Sequence, residues 1–312
     1  MSNAPFLQQA TAYLNGAFVP FHKMKVPVFD SGFMQGLTVA EQMRTFNGKL
    51  FRVDAHLARL QRSLEIVGVN PGVPLAKFKD IAEELVAKNR PLLADGDDLG
   101  VTIFVTPGPY ASFIAAGDRS GPIVGVHAQP VAFGPWADKY QTGQRLAVSQ
   151  TRQVSPQNWP AELKCRSRMH YYLADKEARE IDPDARALLL DLDGNVSEAS
   201  TANVFAYQAS RGFVSPPQGS ILPGISLAML QQLAEELEIP FHSEPMKPGD
   251  FASADEVLLC STSPCVLPVT ALDNKPIGNG KPGEIFGKLL SAWGNHVGLD
   301  IANQARLFAN RE

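Results

Sequence analysis

The sequence predicts an α+β fold of two domains, and three observations support this. Two Asn-Gly pairs, within residues 13–19 and 43–51, separate short apolar runs and predict β-hairpins. Longer stretches repeat apolar residues with the spacing of amphipathic helices. The predicted strands and helices do not alternate strictly, which favours an α+β arrangement over a doubly wound parallel sheet.

After the hairpins, the first half of the chain carries two helical patterns and two apolar strands. Leu57, Leu60 and Leu64 form one apolar stripe, and we expect Asp54 to cap the helix that contains them. The elements predicted here are helices over 54–67 and 76–89 and strands over 101–105 and 123–127.

Gly, Pro and polar residues over 133–140 predict a connection between domains. It separates a smaller N-terminal α+β domain (1–132) from a larger C-terminal domain (141–312), which the chain length allows. The elements predicted after the connection are strands over 145–150, 187–192, 203–207 and 257–260 and helices over 165–180, 225–237 and 283–297.

The composition argues against several classes of protein. Of the 312 residues, 45% are hydrophobic and 19% are charged, which is typical of a globular core. A net charge of -4 argues against a general nucleic-acid or membrane-surface partner. The sequence shows no signal peptide and no apolar run of roughly 18 residues, so we expect no membrane span. Three cysteines suit a reducing cytoplasm, and the scattered histidines lack metal-ligand spacing.

Three features, in chain order, offer the groups that one cofactor needs. Lys164 has an amine that can form an imine with a carbonyl group. Glu198 has a carboxylate that can pair with a protonated ring nitrogen. Residues 222–226 (Leu-Pro-Gly-Ile-Ser) predict a helix start whose N–H groups bind an anion, and Gly224 allows a ligand to approach the backbone closely. Together these features indicate pyridoxal 5'-phosphate (PLP).

Each feature has an ordinary explanation when it is taken alone. Lys164, Arg166 and Arg168 can form a solvated basic face. Glu198 can be an exposed residue at a strand end, and residues 222–226 can be a plain helix start. The order and spacing of the three features carry the interpretation, rather than any one of them.

Two further motifs suit a phosphate group but are equally open to a structural explanation. Ser261 and Thr262 follow a predicted buried strand, where small hydroxyls can donate to phosphate oxygens, although such turns are common. Arg59 on the first predicted helix presents a guanidinium fork that matches a phosphate dianion, although it can also be an ordinary polar helix residue.

The order and spacing of the motifs resemble those of a known family. The matching motifs are Leu14-Asn-Gly-Ala, Asp30-Ser-Gly-Phe-Met-Gln-Gly, Glu41, His56-Leu-Ala-Arg-Leu, Lys164, Asp193-Gly-Asn-Val-Ser-Glu, Asn203-Val-Phe, Leu222-Pro-Gly-Ile-Ser, Ala254-Asp-Glu-Val, Ser261-Thr and Pro268-Val. From about residue 13 to about residue 292, the chain is similar to the class IV, or fold type IV, PLP-dependent enzymes. These include branched-chain aminotransferases, D-amino-acid aminotransferases and aminodeoxychorismate lyases.

The resemblance implies a role for each matched residue. Lys164 would be the Schiff-base lysine, which also moves a proton during catalysis. Glu198 would be the partner of the pyridine nitrogen, and Leu222 would pack against the ring. The residues implied to bind the phosphate are Arg59, Ile225, Ser226, Ser261 and Thr262. The resemblance also implies a fold like that of D-amino-acid aminotransferase, with the lysine in the larger domain, the cofactor between the domains, and a homodimer.

The substrate side departs from the family pattern. Thr102 stands where branched-chain enzymes place a carboxylate-binding arginine, and Met169 replaces their tyrosine, whereas Arg44 is retained. Either another cation compensates for the loss of such an arginine, or the substrate differs. We hypothesise that Arg166 or Arg168 supplies this cation, because both lie close to the lysine in sequence.

The expected activity is therefore ping-pong transamination between an amino acid and a 2-oxo acid through a Lys164 aldimine. The enzyme would be similar to branched-chain aminotransferases or belong to a divergent subgroup. One alternative is a β-elimination that releases pyruvate, as in aminodeoxychorismate lyases. Another alternative, of a different class, is a non-catalytic PLP-binding or interaction protein, since a fold does not fix a function.

Overall fold

The structure, a computed structural model, describes residues 4–114 and 121–311, and the chain divides into two compact units. The first unit comprises Met1–Ala132, Leu163–Ser167 and Asn310–Glu312, and the second comprises Phe133–Glu162 and Arg168–Ala309. Within the described residues, no helix has both the length and the apolar character needed to cross a membrane.

The first unit contains a six-stranded sheet with the strand order β2-β1-β6-β5-β3-β4, in which all neighbours are antiparallel. Its elements are α1 (Ala4–Gln9), β1 (Thr11–Leu14), β2 (Ala17–Pro20), α2 (Ser31–Met34), β3 (Val39–Phe46), β4 (Lys49–Leu50), α3 (Val53–Val67), α4 (Leu75–Asn89), β5 (Leu99–Thr106) and β6 (Ile123–Pro130). Both predicted hairpins are confirmed: β1 pairs with β2 and β3 with β4, and the Asn-Gly turns have positive φ angles.

Helices α3 and α4 pack on one face of this sheet and enclose its apolar core. The predicted stripe is confirmed, since Leu57, Leu60 and Leu64 are all buried in that core. The predicted cap is wrong, because α3 begins one residue earlier, with Arg52 as its N-cap. Asp54 lies inside the first turn, where its carboxylate instead accepts a bond from Lys79 Nζ at 2.9 Å.

The second unit contains a nine-stranded sheet with the strand order β12-β11-β10-β13-β14-β7-β8-β9, and β15 pairs with β14. Its elements are α5 (Lys139–Thr142), β7 (Gln144–Val148), α6 (Met169–Ile181), β8 (Ala185–Leu190), β9 (Val196–Ala199), β10 (Asn203–Gln208), β11 (Gly212–Ser215), α7 (Ile225–Glu236), β12 (Phe241–Ser243), α8 (Pro248–Ala252), β13 (Glu256–Ser261), β14 (Cys265–Leu272), β15 (Lys275–Pro276), α9 (Glu284–Val297) and α10 (Ile301–Phe308). Sheets that mix parallel and antiparallel neighbours, as this one does, are consistent with the predicted α+β class.

The prediction for the second unit missed α5, β9, β11, β12, α8, β15 and α10, and it differs from the structure at two further elements. The helix predicted over 165–180 begins only at Met169, because Cys165 and Arg166 pair with Val39 and Thr38 instead. Strand β14 was not predicted. It contains Pro268, which cannot donate to a ladder and usually marks an edge. It is nevertheless fully buried between β13 and β7, and its pairing with β7 begins only at Val269, after the proline.

The face of the first sheet that lies opposite α3 and α4 carries three polar side chains in one transverse row. Gln42 is in register with Thr102, and Thr102 is in register with His127, so the three lie side by side on β3, β5 and β6. Side chains alternate along each strand, so the row lies on the face opposite Met43 and Val101 of the core. We refer to Gln42, Thr102 and His127 as the polar row.

His127 is neutral at physiological pH. Burial lowers the pKa of His127 to about 4, and the positive charge of Arg166 acts in the same direction. Its ring lies edge-on to Phe21, with 5.6 Å between the ring centroids. A charged imidazole would therefore have to be formed in an apolar setting close to another cation.

Acid should destabilise the fold through His127. The folded pKa is below the unfolded value of 6.5, so the unfolded state binds the extra proton as the pH falls from 6.5 to about 4, and stability is lost in this window. We expect His127→Phe, which keeps a ring beside Phe21, to reduce the stability lost between about pH 7 and pH 5 by about 2 kcal/mol. Urea unfolding at the two pH values measures this loss.

The exposed His22 provides the matched control, and His22→Gln should keep the pH dependence of the wild type. An unchanged pH dependence in His127→Phe would contradict the assignment of a lowered pKa to this histidine.

Candidate active site

Lys164 lies in an extended segment that completes the edge of strand β3. Strand β4 pairs only with Thr45 and Phe46, at the far end of β3. At the other end, Cys165 forms a bridge with Val39, and the Arg166 N–H donates to Thr38 O at 2.8 Å. This pairing groups Leu163–Ser167 with the first unit, whereas the sequence assigned the lysine to the C-terminal domain. The division into domains at 133–140 stays a prediction.

The main chain of Lys164 is fixed from two directions. Its carbonyl oxygen accepts a hydrogen bond from the Ala40 N–H at 3.2 Å, and its N–H donates to Ser63 Oγ, on α3, at 3.1 Å. The position of the Cα is therefore set by β3 and α3 together. Variation in the position of the amine is confined to the lysine side chain, which is half-buried.

A buried charge cluster lies where α3 meets β3. The Glu41 carboxylate accepts bonds from Arg59 Nη2 at 2.7 Å and Arg59 Nε at 3.0 Å, and His56 Nδ1 lies 2.9 Å from Glu41 Oε1. Burial alone would raise the pKa of Glu41, but the charge of Arg59 and the bonds from both partners outweigh it and hold the pKa well below its usual range.

His56 in this cluster is neutral. Burial lowers the pKa of His56, and the charges of Arg59 and Lys164 act in the same direction against the opposing influence of Glu41. A neutral imidazole can donate from one nitrogen only, so we assign the proton to Nδ1, which faces the carboxylate. The net charge of Glu41, His56 and Arg59 is then close to zero, which reduces the cost of burying them.

Glu198 is the centre of a second cluster, in the second unit. It lies on β9, opposite Leu189 of β8, and is 4% exposed. Its carboxylate accepts hydrogen bonds from at least four neutral donors, with two of these on each oxygen. The donors are Asn203 Nδ2 (3.0 Å) and Leu222 N (3.0 Å) to Oε1, and Gln153 Nε2 (2.7 Å) and the Tyr171 hydroxyl (3.1 Å) to Oε2.

Burial keeps two ionisable groups that interact with Glu198 neutral, the Tyr171 hydroxyl and the Cys260 thiol. Burial raises the pKa of the Tyr171 hydroxyl, and the charge of Glu198 raises it further, so Tyr171 stays protonated and donates. Burial likewise raises the pKa of the Cys260 thiol, with Glu198 acting in the same direction. Cys260 is therefore an unreactive thiol rather than a nucleophile.

Asn203 connects Glu198 to the start of helix α7. Its side-chain nitrogen donates to Glu198 and also to Leu222 O at 3.0 Å. Gly224 is the N-cap of α7, and a Cβ there would collide with Asn203 Oδ1. Only glycine therefore fits at this position, and the first N–H groups of α7, from Ile225 and Ser226, lie where a helix start favours an anion.

The other predicted phosphate residues lie at the end of β13. Ser261 is the last residue of this strand and is in register with Cys265, the first residue of β14. Thr262 lies in the turn between them, and both Ser261 and Thr262 are half-buried. The structure thus places two hydroxyls at a strand end, as the sequence predicted.

The four predicted substrate residues have unlike surroundings. Arg44 is fully buried, 4.1 Å from the centroid of the Phe46 ring, and faces Asp98, which favours a structural role. Arg166 is an exposed residue of the first unit. Arg168 is the N-cap of α6, and Met169, the first residue of that helix, is 70% exposed.

Comparison with known proteins identifies the family. The family model of amino-transferase class IV matches residues 38–272. This chain belongs to the class IV aminotransferases. It is a PLP-dependent aminotransferase, and the predicted transamination is confirmed, because the relatives are named aminotransferases; neither the lyase nor the non-catalytic alternative is favoured.

Curated relatives of this aminotransferase span almost its whole length. It is 28% identical over 283 residues to the D-alanine aminotransferase of Bacillus licheniformis. The alignment covers 91% of this chain and 95% of that protein. It is 29% identical over 286 residues to branched-chain-amino-acid aminotransferase-like protein 2 of Arabidopsis thaliana. The alignment covers 90% of this chain and 49% of that protein.

Solved structures confirm the predicted fold type IV. The branched-chain amino acid aminotransferase of Escherichia coli superposes with a TM-score of 0.84 at 22% identity, over 92% of this chain and 94% of that chain. The T.th. branched-chain amino acid aminotransferase, in complex with N-(5'-phosphopyridoxyl)-L-glutamate, has a TM-score of 0.81 at 23% identity, over 93% of this chain and 95% of that chain.

The residues of this aminotransferase fit PLP. A protonated pyridine nitrogen requires a buried carboxylate, and Glu198 is one, held by donors on both oxygens. A phosphate requires N–H donors, and the start of α7, after the N-cap Gly224, is a helix N-terminus of the kind that favours an anion.

Sequence analysis missed three of the residues that orient Glu198. Gln153 and Tyr171 lie 45 and 27 residues from the glutamate along the chain and carry no local signal. Asn203 stands within a matched motif, but nothing in that motif indicates the bonds of its side chain to Glu198 and to Leu222 O. The pattern of buried, uncharged donors around one carboxylate is visible only in three dimensions.

Removing one donor from Glu198 should destabilise this aminotransferase. Tyr171→Phe keeps the ring but deletes the hydroxyl that bonds to a buried carboxylate, so we expect the free energy of unfolding to fall by about 1–3 kcal/mol. Urea unfolding measures it. The neighbouring Tyr172, which is 68% exposed, is the matched control, and Tyr172→Phe should change stability little. Equal losses in the two variants would show that the hydroxyl bond to Glu198 is unimportant.

Proposed function

We propose that this aminotransferase exchanges the amino group of an aliphatic amino acid with a 2-oxo acid, and that Lys164 is its catalytic residue. The observation that carries the proposal is the fixed main chain of Lys164, together with the buried, fully hydrogen-bonded carboxylate of Glu198. The aliphatic substrate class is supported by the relatives, which are named for D-alanine and for branched-chain amino acids.

Lys164 moves the proton in this proposal. PLP, when bound, supplies an electron sink that makes the Cα–H bond of the substrate acidic. The Lys164 amine would accept this proton at the substrate Cα and give it back at a neighbouring position. Because Ala40 and Ser63 fix the main chain of Lys164, the amine needs only side-chain rotation to serve both positions.

Glu198 keeps a proton on the pyridine nitrogen in this proposal. A carboxylate has about four lone-pair sites, and the four donors use as many. A ring N–H would therefore share or replace one donor. The Tyr171 hydroxyl gives way at the least cost, since its bond is the longest of the four at 3.1 Å and a hydroxyl rotates freely.

We propose that the phosphate binds at the start of α7, with the hydroxyls of Ser261 and Thr262 as further donors. Gly224, Ile225 and Ser226 contribute their main chain, and Leu222 packs against the ring. Arg59 completes the set as a cation whose position is fixed by Glu41, through two of its five N–H donors. Glu41 and His56 are then positioning residues that act through Arg59.

We also propose that the enzyme is a cytoplasmic homodimer. Free thiols at Cys165, Cys260 and Cys265 suit a reducing compartment. Four large apolar side chains near α2 and the turn Ala111–Phe113 are exposed, namely Phe29, Phe33, Met34 and Phe113. The rings of Phe29 and Phe113 lie 6.1 Å apart, and exposed apolar side chains that group together are typical of an interface.

Loss of the Lys164 amine should abolish turnover without abolishing cofactor binding. We expect Lys164→Ala to lower kcat by at least about 10²–10⁴ with every amino donor, because it removes the acid–base group. In the wild type, borohydride should fix PLP on Lys164, as read by mass spectrometry. Lys77→Ala, at an exposed lysine, is the matched control and should behave as wild type.

The amino acids that react with bound PLP define the substrate class. A panel of L- and D-alanine, valine and leucine should convert bound PLP to its amine form, which absorbance follows directly. A wild-type enzyme that holds PLP but reacts with none of these would overturn the aliphatic assignment.

The homodimer should depend on the exposed apolar patch. Light scattering of the wild type should give about twice the chain mass of 33.8 kDa. Phe33→Asp should shift the protein towards a monomer, because it places a charge in the apolar interface. Leu307→Asp, at a residue that is 65% exposed on α10, is the control and should leave the mass unchanged. A monomeric wild type would refute the proposal.

A further inference from the structure

The packing of the apolar core does not explain why the residues of the polar row are polar. The face of the sheet that packs on α3 and α4 presents Met43, Val101 and Ala128 in the neighbouring register, all apolar and buried. On the opposite face, an amide, a hydroxyl and an imidazole occupy three adjacent strands side by side. The three hydrogen-bonding groups of the polar row therefore lie side by side across the sheet.

His127 holds a hydrogen-bonding atom that is unused within the described residues. Its Nδ1 is buried and has no partner there. The ring is fixed between Phe21 and Phe104, whose centroids lie 5.6 and 6.5 Å away. A buried polar atom without a partner is costly, and native structures retain one mainly where a ligand or water satisfies it. The neutral imidazole can donate one N–H to an acceptor.

Arg166 brings a positive charge to this histidine. Burial is the main cause that lowers the pKa of His127, and the charge of Arg166 acts in the same direction. Its main chain is fixed by the N–H bond to Thr38 O at 2.8 Å, and it lies two residues after Lys164 on the same segment. The segment that carries Lys164 therefore also carries Arg166, whose charge acts on His127. This segment and His127 both belong to the first unit.

An amino acid and a 2-oxo acid share one group that needs recognition, the carboxylate. A carboxylate binds best to a cation accompanied by neutral hydrogen-bond donors. Arg166 is the cation in these surroundings, and the side chains of Gln42, Thr102 and His127 supply an amide, a hydroxyl and a ring N–H. The charge of Arg168 acts on His170 and Tyr171.

We propose that the polar row, together with Arg166, binds the substrate carboxylate, with His127 as a specificity-determining residue that donates to it through Nδ1. This inference rests on the proposed transamination and names the group by which its substrates are recognised. Gln42 and Thr102 orient the carboxylate, and the charge of Arg166 compensates its desolvation.

Binding of a non-reactive carboxylate tests the proposal directly. The probe is 4-methylvalerate, and its uncharged counterpart, 4-methylvaleramide, is the control ligand. We expect calorimetry on the PLP-loaded wild type to show a Kd for the acid that is lower than for the amide. His127→Phe, which keeps the ring contacts, should raise the Kd of the acid about 10-fold, since a bond to a charged group is lost.

Two further variants keep the test decisive if His127→Phe does not fold. Gln42→Glu places a negative charge in the row and should weaken the acid at least about 10-fold without weakening the amide. His127→Asn, which can place an amide N–H near the position of Nδ1, should recover part of the lost affinity. Arg62→Gln, at an exposed arginine of α3, is the matched control and should bind both probes as wild type does.

Steady-state kinetics separate recognition from chemistry. In His127→Phe and Gln42→Glu, KM for the amino acid should rise while kcat stays within about 3-fold of wild type, which is the signature of lost uniform binding. Unchanged Kd and KM in both variants, in a wild type that transaminates, would overturn this inference and leave the proposed function standing. Weakened acid binding in a wild type that transaminates no amino acid would overturn the proposed function and leave the carboxylate site.

Discussion

The edge of strand β3 is the constraint on which the lysine site depends. Strand β4 is two residues long and covers only the end of β3 near Phe46. The other end would expose unpaired main-chain groups, which are costly when buried, unless another segment paired with it. Residues 164–166 supply that pairing. The backbone bonds that complete the sheet therefore also fix the main chain of Lys164, the proposed catalytic residue. The position of this main chain does not depend on the lysine side chain.

The two buried carboxylates, Glu41 and Glu198, illustrate different ways of burying charge. Glu41 is stabilised by a cation, and the neutral His56 adds a hydrogen bond. Glu198 is instead held by neutral donors from the side chains of Gln153, Tyr171 and Asn203 and from the main chain of Leu222. An arrangement of neutral donors orients a carboxylate without neutralising it, so the site keeps a negative charge to offer to a protonated ring nitrogen.

Local signals predicted the regular elements well where burial and sequence pattern agreed. The Asn-Gly hairpins and the apolar stripe of α3 follow from turn chemistry and helical spacing alone. The predictions failed where tertiary contacts overrode local preference. The α6 helix begins late because the residues before Met169 pair with β3, and β14 tolerates Pro268 because its pairing with β7 starts after the proline.

The sequence by itself determined the family, the cofactor and the identity of the residues proposed to bind it, because motifs such as Lys164, Glu198 and the start of α7 keep their order and spacing along the chain. Only the tertiary structure decided what surrounds them. The donors to Glu198, the pairing of the Lys164 segment with β3 and the alignment of the polar row all join residues that lie far apart in the chain. Such contacts arise from strand register and burial, which are properties of the whole fold and leave no local pattern in the sequence.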